Sequence, residues 1–373
     1  MKIIGIICEY NPFHNGHVYH LKQIKKLYPD SMIILCLNGY FMQRGEISLL
    51  TKEEKVKLSL EHNIDIVVEL PFTFGTQSAD YFAHASLKIL SSLKITHLIF
   101  GSETKDLSSL EKIAQKQLEN DFHLKKNNTQ NYPTALAKSL NQEKIFQPND
   151  LLAISYIKEI LKQKYNIIPL NIQRTSSYHD LKSNNKIISA SNIRQKFKEG
   201  KNILKYVPFS DLKIISNIDE KKHFELLKYK ILTSNHLNEY LDVIEGLENK
   251  LKKEIHNSHS IQELILNVKS KRYTYNKIQR LLTHVLIGLQ SPVEEISYIR
   301  ILGFNEKGKQ YLRNHKKEFL LPTTVDKNSM TYHFELLSSC IYDLITNQNT
   351  YLFEKKNQPI YMKEASLKES SQK

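Results

Sequence analysis

Short apolar runs of strand length recur through the first half of the chain, and residues that break a strand follow each one. They are rich in Ile, Val and Leu, which is typical of strands buried on both faces of a sheet. Segments with helical spacing lie between them, and this alternation favours parallel βαβ units. We therefore predict an α/β fold with a doubly wound, Rossmann-like parallel sheet. The predicted strands are Lys2 to Cys8, Met32 to Leu37, Ile64 to Val68, Ile95 to Phe100 and Ile167 to Ile172.

The helices predicted between these strands follow from apolar residues three and four positions apart and from capping residues. The first begins between Asn15 and His17, directly behind the opening strand. Thr51, with Glu54 three positions later, forms a capping box that opens a helix. The predicted helices are the one after Thr51 to about His62, Gln77 to Leu90, parts of Asp106 to Leu140, Leu151 to Leu161 with Asn149 or Asp150 as N-cap, and one from Ser189 or Ser191 to about Glu199.

The pattern changes near Gly200 to Pro208, beyond which strand-like runs nearly vanish. We therefore predict two domains, a nucleotide-binding domain of residues 1–205 and a mainly helical, basic domain of residues 206–373. The helices predicted in the second domain are Phe224 to Leu232, Leu237 to Leu251, Ile261 to Val268 and Tyr275 to Leu289.

The strongest candidate chemistry lies where the first strand turns into the first helix, at His14-Asn-Gly-His17. Gly16 lets the backbone approach a bound group closely, and the unpaired N–H groups of a helix start attract phosphate. Two histidines three residues apart can aim their N–H groups at phosphate oxygens, stabilising charge that develops on phosphorus. Two alternatives remain, a polar surface turn and a metal cluster of Cys8, His14, His17 and His20.

A second signal is the run from Ile188 to Arg194, where serine hydroxyls, free N–H groups and an arginine gather at a helix start. Its plain alternative is a serine-capped helix. Arg174 follows the fifth predicted strand, and its planar fork suits a phosphate or carboxylate. Gly101 ends the fourth strand, and by itself is typical of an ordinary turn.

The composition of the chain indicates its cellular compartment and the class of partner that it binds. The chain has 373 residues, a formal net charge of +14 and three cysteines, Cys8, Cys36 and Cys340. So few and separated cysteines disfavour a disulfide framework and indicate a reducing compartment. Without a secretory pattern or an apolar segment near ~20 residues, we expect a soluble cytoplasmic protein with no membrane partner. The positive charge favours a polyanionic partner.

The basic residues are densest between Lys250 and Arg280, where eight face only Glu254 and Glu263. Within this window the run from Lys271 to Arg280 interleaves aromatic and basic side chains, which is typical of surfaces that bind RNA. A solvated helix face with two partly buried tyrosines is the alternative. The candidate RNA-binding residues are Lys269, Lys271, Arg272, Lys277 and Arg280.

The string from Glu9 to His20, EYNPFHNGHVYH, resembles the tRNA(Met) cytidine acetate ligases of the H-x-G-H nucleotidyltransferase superfamily. The resemblance implies catalytic roles for His14 and His17 and contacts from other residues to ATP, accompanied by Mg²⁺. The implied ATP contacts are Ile7, Cys8, Glu9, Tyr10, Asn11, Pro12, Phe13, His14, Asn15, Gly16, His17, Val18, Tyr19, His20, Gly101, Asn149, Arg174, Ser189, Ser191 and Arg194, and no protein metal ligand is implied.

The same resemblance implies that acetate and ATP give acetyl-adenylate, and that the acetyl group passes to N4 of the wobble cytidine of elongator tRNA(Met). Two other functions remain open from the residues. A small-metabolite adenylyltransferase would use the same two signatures, but it has no evident use for the basic second half. An RNA-binding protein with a vestigial nucleotide fold would bind tRNA with steep salt dependence and release no pyrophosphate.

Overall fold

A seven-stranded sheet runs through the protein in the computed structural model, which describes residues 1–124, 147–174 and 186–363. The strands are β1 (Ile3–Cys8), β2 (Met32–Asn38), β3 (Ile66–Leu70), β4 (His97–Ser102), β5 (Ile168–Gln173), β6 (Ile301–Asn305) and β7 (Ile360–Met362). Their order across the sheet is β5-β4-β1-β2-β3-β6-β7.

The first five strands are parallel, which confirms the predicted α/β class. The chain builds β1, β2 and β3 outward in one direction and then returns to add β4 and β5 on the other side of β1. In such a doubly wound sheet the ligand crevice opens at the carboxyl ends of the strands where the order reverses. Here that point lies between β1 and β4.

Helices cover both faces of the sheet. Alternate residues of β2 point to opposite sides, so Ile33 and Leu35 pack with α1 and α2, while Ile34 and Cys36 pack with α4 to α6. No helix in the described part of the chain is both long and apolar enough to cross a membrane. The α-helices are α1 (Asn15–Leu27), α2 (Lys52–Glu61), α3 (Phe72–Gly75), α4 (Ala79–Ser92), α5 (Leu107–Leu124), α6 (Pro148–Gln163), α7 (Ala190–Lys198), α8 (Glu220–Thr233), α9 (Leu247–Glu254), α10 (Ile261–Val268), α11 (Tyr275–Ile287), α12 (Glu306–His315), α13 (Met330–Thr346) and α14 (Tyr351–Lys356).

Three helix predictions were wrong in their bounds or continuity. The helix predicted from Phe224 begins earlier, at Glu220. Helix α6 begins at Pro148 with Gln147 as its N-cap, because a proline fits the first turn of a helix, where no partner for its nitrogen is needed. The predicted helix from Leu237 to Leu251 is broken into a 3₁₀ turn and α9. Three residues in the segment that joins these two elements, Asp242, Glu245 and Gly246, have a positive φ, which a right-handed helix does not allow. Of the pattern predicted over Asp106 to Leu140, residues beyond 124 lie outside the described part.

The second half of the chain is mainly helical, as predicted, but it also returns to the sheet. Strand β6 runs antiparallel to β3, pairing Ile66 with Phe304 and Val67 with Gly303, and β7 adds beside β6. The sequence reading missed both strands because they are short and stand alone among helices. The boundary between residues 205 and 206 remains a prediction, with two strands of the second part built into the sheet of the first.

Five buried charged side chains join the helical part to the sheet, and we call them the Lys52 cluster. The ammonium of Lys52 lies 2.5 Å from Glu69, 2.7 Å from Glu335 and 2.9 Å from Glu354. Arg300 pairs with Glu69 at 3.1 Å and also with Glu354. Burial and Glu69 raise the pKa of Glu335 to about 7, against the pull of Lys52. The cluster therefore fixes α13, α14 and β6 to α2 and β3.

Candidate nucleotide site

The turn between β1 and α1 is a tightly packed loop. Tyr10 has a positive φ of 49°, and the peptide bond between Asn11 and Pro12 is cis. The rings of Tyr10 and Phe13 are buried and lie 4.6 Å apart edge to face. The ring of His17 lies 4.6 Å from that of Tyr10, so the His17 ring packs against this aromatic pair.

His14 and His17 cap α1 reciprocally. His14 is the N-cap, and its Nδ1 accepts a hydrogen bond from the N–H of Gly16 at 3.0 Å. The Nδ1 of His17 accepts from the N–H of His14 at 3.2 Å. A neutral imidazole that accepts at Nδ1 carries its proton on Nε2. Each ring therefore offers an Nε2–H donor, and neither Nε2 has a hydrogen-bond partner among the described residues.

Gly16 is required by this geometry. A Cβ at position 16 would lie 2.7 Å from Cε1 and 2.9 Å from Nδ1 of His14, closer than two such atoms approach. The glycine thus leaves room for the His14 ring over the first turn of α1, where the sequence predicted a close backbone approach.

Burial keeps these imidazoles neutral. It lowers the pKa of His14 to about 3, with further lowering by Arg174 and Arg194. The pKa of His17 is also lowered well below its usual value, by burial and then by His14 and Arg174, and that of His20 falls to about 4. An anion bound beside them would oppose the second of these causes, because its negative charge offsets the positive charge of the arginines, whereas the burial would remain.

The other residues implied as ATP contacts fall into two groups. Ile7 and Cys8 end β1 and Glu9 directly follows it. Val18, Tyr19 and His20 lie in the first two turns of α1. In contrast, the side chains of Asn11 and Asn15 tie the loop to other segments. Asn11 bonds to the backbone of Ile47 and Leu49, and Asn15 donates to the carbonyls of Lys186 and Lys205 at 3.0 and 2.9 Å.

The second signature caps α7 and reaches the first. Ser189 is the N-cap, and its hydroxyl accepts from the N–H of Asn192 at 3.3 Å, while Ser191 lies in the first turn. Nη1 of Arg194 donates to the carbonyl of Asn11 at 2.9 Å, and Nη2 donates to both carboxylate oxygens of Glu46, at 2.9 and 2.7 Å. The structure thus brings the two signatures together, with Arg194 bonded to Asn11 and Glu46.

Gly101 and Arg174 lie side by side at the ends of β4 and β5. A Cβ on Gly101 would meet the Arg174 side chain at 3.5 Å, which is ordinary contact, so space alone does not require this glycine. The Nε of Arg174 is buried, has no hydrogen-bond partner among the residues that the structure describes, and lies 3.7 Å from Glu103 Oε1. Asn149 donates to the same Glu103 at 2.5 Å. Glu103 therefore connects two of the predicted ATP contacts.

Several residues that organise the site were not among the predicted ATP contacts, although the sequence placed the loop of residues 38–46 beside the opening turn. Glu46 holds Arg194, and Glu103 holds Asn149. Asn38, at the end of β2, donates to Glu9 Oε1 at 3.1 Å, and the N–H of Gln43 donates to the same oxygen at 2.5 Å. A polar residue directly after a buried strand was the available signal for Asn38 and Glu103.

Potential metal ligands converge elsewhere. Within the described residues, the group of three close enough to hold an ion is Glu69, Glu335 and Glu354 of the Lys52 cluster. The ammonium of Lys52 already lies between these carboxylates, so the group is an ion-pair cluster with a lysine in the position of a cation.

The candidate RNA-binding residues are arranged around the start of α11. Lys269 and Lys271 are exposed, while Arg272 pairs with Glu245 at 2.5 Å. Lys277 lies 4.7 Å above the ring of Tyr273. Arg280, the last of them, lies further along α11 and is half-buried.

Together these features define a class. A Rossmann-like sheet whose switch point carries a histidine-capped helix start, with arginines and a second capped helix beside it, is the site of an H-x-G-H nucleotidyltransferase. The HIGH Nucleotidyl Transferase family matches residues 1–358 of the chain.

The relatives narrow the class further. The chain is 38% identical to a tRNA(Met) cytidine acetate ligase of Thermoanaerobacter sp. (strain X514), over 92% of this chain and 95% of the relative. It is 36% identical to one of Clostridium novyi (strain NT), over 97% of this chain and all of the relative. The chain is also similar to a crystal structure of Thermotoga maritima TmcAL bound with alpha-thio ATP. The superposition includes 97% of this chain and 100% of the T. maritima chain, with a TM-score of 0.83 and 25% sequence identity. The chain therefore belongs to the tRNA(Met) cytidine acetate ligase family.

Proposed function

We propose that this protein uses ATP to activate acetate as acetyl-adenylate and transfers the acetyl group to N4 of the wobble cytidine of elongator tRNA(Met). The observation that carries this proposal is the reciprocal capping of α1, which presents two neutral Nε2–H donors at a helix start in the crevice. Family membership supplies the substrates, because the relatives are tRNA(Met) cytidine acetate ligases and the T. maritima protein binds an ATP analogue.

In the first step a carboxylate oxygen of acetate attacks the α-phosphorus of ATP. The new P–O bond forms as the bond to the β-phosphate oxygen breaks, and pyrophosphate leaves. His14 and His17 donate to the phosphate oxygens on which negative charge accumulates. Arg174, Ser189, Ser191 and Arg194 hold the triphosphate from the other wall.

For Arg194 to offer its Nη2 to a phosphate it must exchange its present partner, since Glu46 accepts from that nitrogen with both carboxylate oxygens. The triphosphate carries more negative charge than one carboxylate, so this exchange is electrostatically favourable. Mg²⁺ would accompany ATP as a ligand of its phosphates. We assign it no protein ligand.

In the second step the exocyclic amine of cytidine attacks the acetyl carbon. The C–N bond forms, the bond from carbon to the AMP oxygen breaks, AMP leaves, and the amine loses one proton to solvent. Neither step needs a covalent bond to the protein. Lys269, Lys271, Arg272, Lys277 and Arg280 are the proposed contacts to the tRNA backbone.

Incubation of the protein with ATP, labelled acetate and tRNA(Met) tests this function, with the tRNA nucleosides analysed by mass spectrometry. We expect N4-acetylcytidine to form with the wild type and to fall at least a hundredfold in His17→Ala. A wild type that leaves the cytidine unmodified, or a His17→Ala variant that acetylates normally, would refute the proposal. Formation of a dinucleotide from ATP and a small phosphorylated metabolite would favour an adenylyltransferase instead.

A further inference from the structure

Residues 42–46 form a fixed turn at the edge of the crevice. Phe41 and Ile47 pair as an antiparallel bridge at its base. Within the turn, the N–H of Met42 donates to the carbonyl of Glu46 and that of Gly45 donates to the carbonyl of Met42, both at 2.8 Å. Gly45 has a φ of +81°, which glycine adopts without strain.

One side of this turn is bonded to both nucleotide signatures. The N–H of Gln43 donates to Glu9, which directly follows β1, and Glu46 holds Arg194 of the second signature. The turn therefore cannot shift without disturbing the nucleotide crevice.

The other side of the turn lies directly on α11. A Cβ on Gly45 would be 2.8 Å from the carbonyl oxygen of Gln279 and 3.0 Å from Cα of Arg280. The hydroxyl of Thr283 donates to the carbonyl of Gly45 at 3.0 Å in a buried contact. Gly45 of the turn therefore packs directly against Gln279, Arg280 and Thr283 of α11, the helix that carries the predicted RNA contacts Lys277 and Arg280.

The seam between turn and helix concentrates positive charge. Arg44 directly precedes Gly45, the glycine that lies against Arg280. Burial lowers the pKa of Arg280 most, and the positive charge of Arg44 lowers it further. The Nε of Arg280 is buried without a hydrogen-bond partner within the described residues. Asp242 is the carboxylate that opposes this effect, and it also lies 3.4 Å from Nδ1 of His284. A buried Nε–H donor without a partner in the described part of the chain, on a guanidinium that also feels the positive charge of Arg44, is suited to an anion.

We propose that the seam between the turn of residues 42–46 and α11 binds a backbone phosphate of the RNA substrate, with Arg44 and Arg280 as its cationic contacts. This inference rests on the proposed function and adds Arg44 to the RNA-binding residues. Because the turn is bonded to Glu9 and Arg194, a phosphate held there has a set position relative to the crevice. The site therefore orients a nearby cytidine toward the adenylate.

Arg44→Gln and Arg280→Gln test the proposal, with Arg313→Gln, exposed on α12, as the charge-matched control. The affinity for an unmodified tRNA(Met) transcript is measured by filter binding at 50 and 200 mM KCl. Losing one phosphate contact lowers the slope of log affinity against log salt by ~0.7–0.9, so the advantage of wild type over Arg44→Gln should shrink about threefold between the two salts. Arg313→Gln should bind as wild type does.

Wild-type affinity and salt dependence in Arg44→Gln would overturn the inference, as would an equal effect in Arg313→Gln. Arg44 lies on the turn, outside any helix or strand, and its variant decides the matter even where Arg280→Gln fails to fold. The two proposals fail separately. A wild type that binds tRNA through Arg44 without acetylating it would refute only the proposed function. Normal acetylation by the wild type, together with wild-type tRNA affinity in Arg44→Gln, would refute only the phosphate site.

Discussion

Replacing Lys52 by methionine should destabilise the fold strongly, because the side chain keeps its length but loses the charge at the centre of the Lys52 cluster. Two cations face three carboxylates there, and the ammonium lies within 2.9 Å of all three. At an effective dielectric constant near 20, one such attraction is worth about 4 kcal/mol at ~4 Å. Breaking a buried ion pair costs about 3 to 5 kcal/mol, a large share of the typical ~5–15 kcal/mol stability of a protein.

The stability lost in Lys52→Met should grow as the pH rises. The pKa of Glu335 is raised from 4.5 to about 7, so rising pH through this window already weakens the folded state, which must ionise a buried acid. Without Lys52, which lowers that pKa, the window extends upward. The free energy of unfolding, from urea titrations at pH 5.5 and pH 8, should therefore fall more at pH 8.

The control is Lys57→Met on the same helix. Lys57 pairs with Glu53 and Glu54 at 2.8 and 3.1 Å but is 40% exposed, so its loss should cost less than about 1 kcal/mol at both pH values. If Lys52→Met costs no more than this control, or costs the same at both pH values, the buried charges do not fix the helical part to the sheet as described.

Two further predictions concern the nucleotide site. Gly16→Ala should place a methyl group against the His14 ring and reduce acetate-dependent exchange of pyrophosphate into ATP at least tenfold, with an unchanged circular dichroism spectrum; normal exchange would show that the ring position is not needed. In the ligand-free protein, NMR titration should find His14 and His20 neutral from pH 8 to pH 5.5, since their pKa values lie at about 3 and 4. Because folding lowers these pKa values, their contribution to stability is complete above the unfolded pKa of about 6.5 and decreases as pH falls below it. A midpoint above pH 6 for either residue would contradict the described burial.

The sequence predicted the nucleotide half well because its signals are local. Apolar runs located all five parallel strands within about two residues, and Thr51 and Ser189 cap their helices as expected. The partners of site residues could not be predicted in this way. Glu46 and Arg194 are 148 positions apart, and no periodicity connects them. The predictions of which residues contact ATP and tRNA stay predictions.

The return of the chain to the sheet also shows where sequence patterns fail. β6 has only five residues and pairs with β3 from the far side of the helical part. Its few residues carry no turn signal that would identify a hairpin, because the pairing is between distant segments. The same holds for the Lys52 cluster, whose members come from five separate elements or their flanks.

The antiparallel pairing of β6 with β3 has a consequence for biosynthesis. More than 200 residues separate the two strands, so a ribosome adding ~5–20 residues per second completes β6 roughly 10 to 50 seconds after β3. Until then β3 presents an unpaired edge. Lys52 still lacks its partner Glu335, and Glu69 still lacks its partner Arg300. An exposed edge of this kind invites pairing with another chain. Nascent chains stalled before β6 are therefore expected to depend on chaperones, although most of the nucleotide site has already been synthesised.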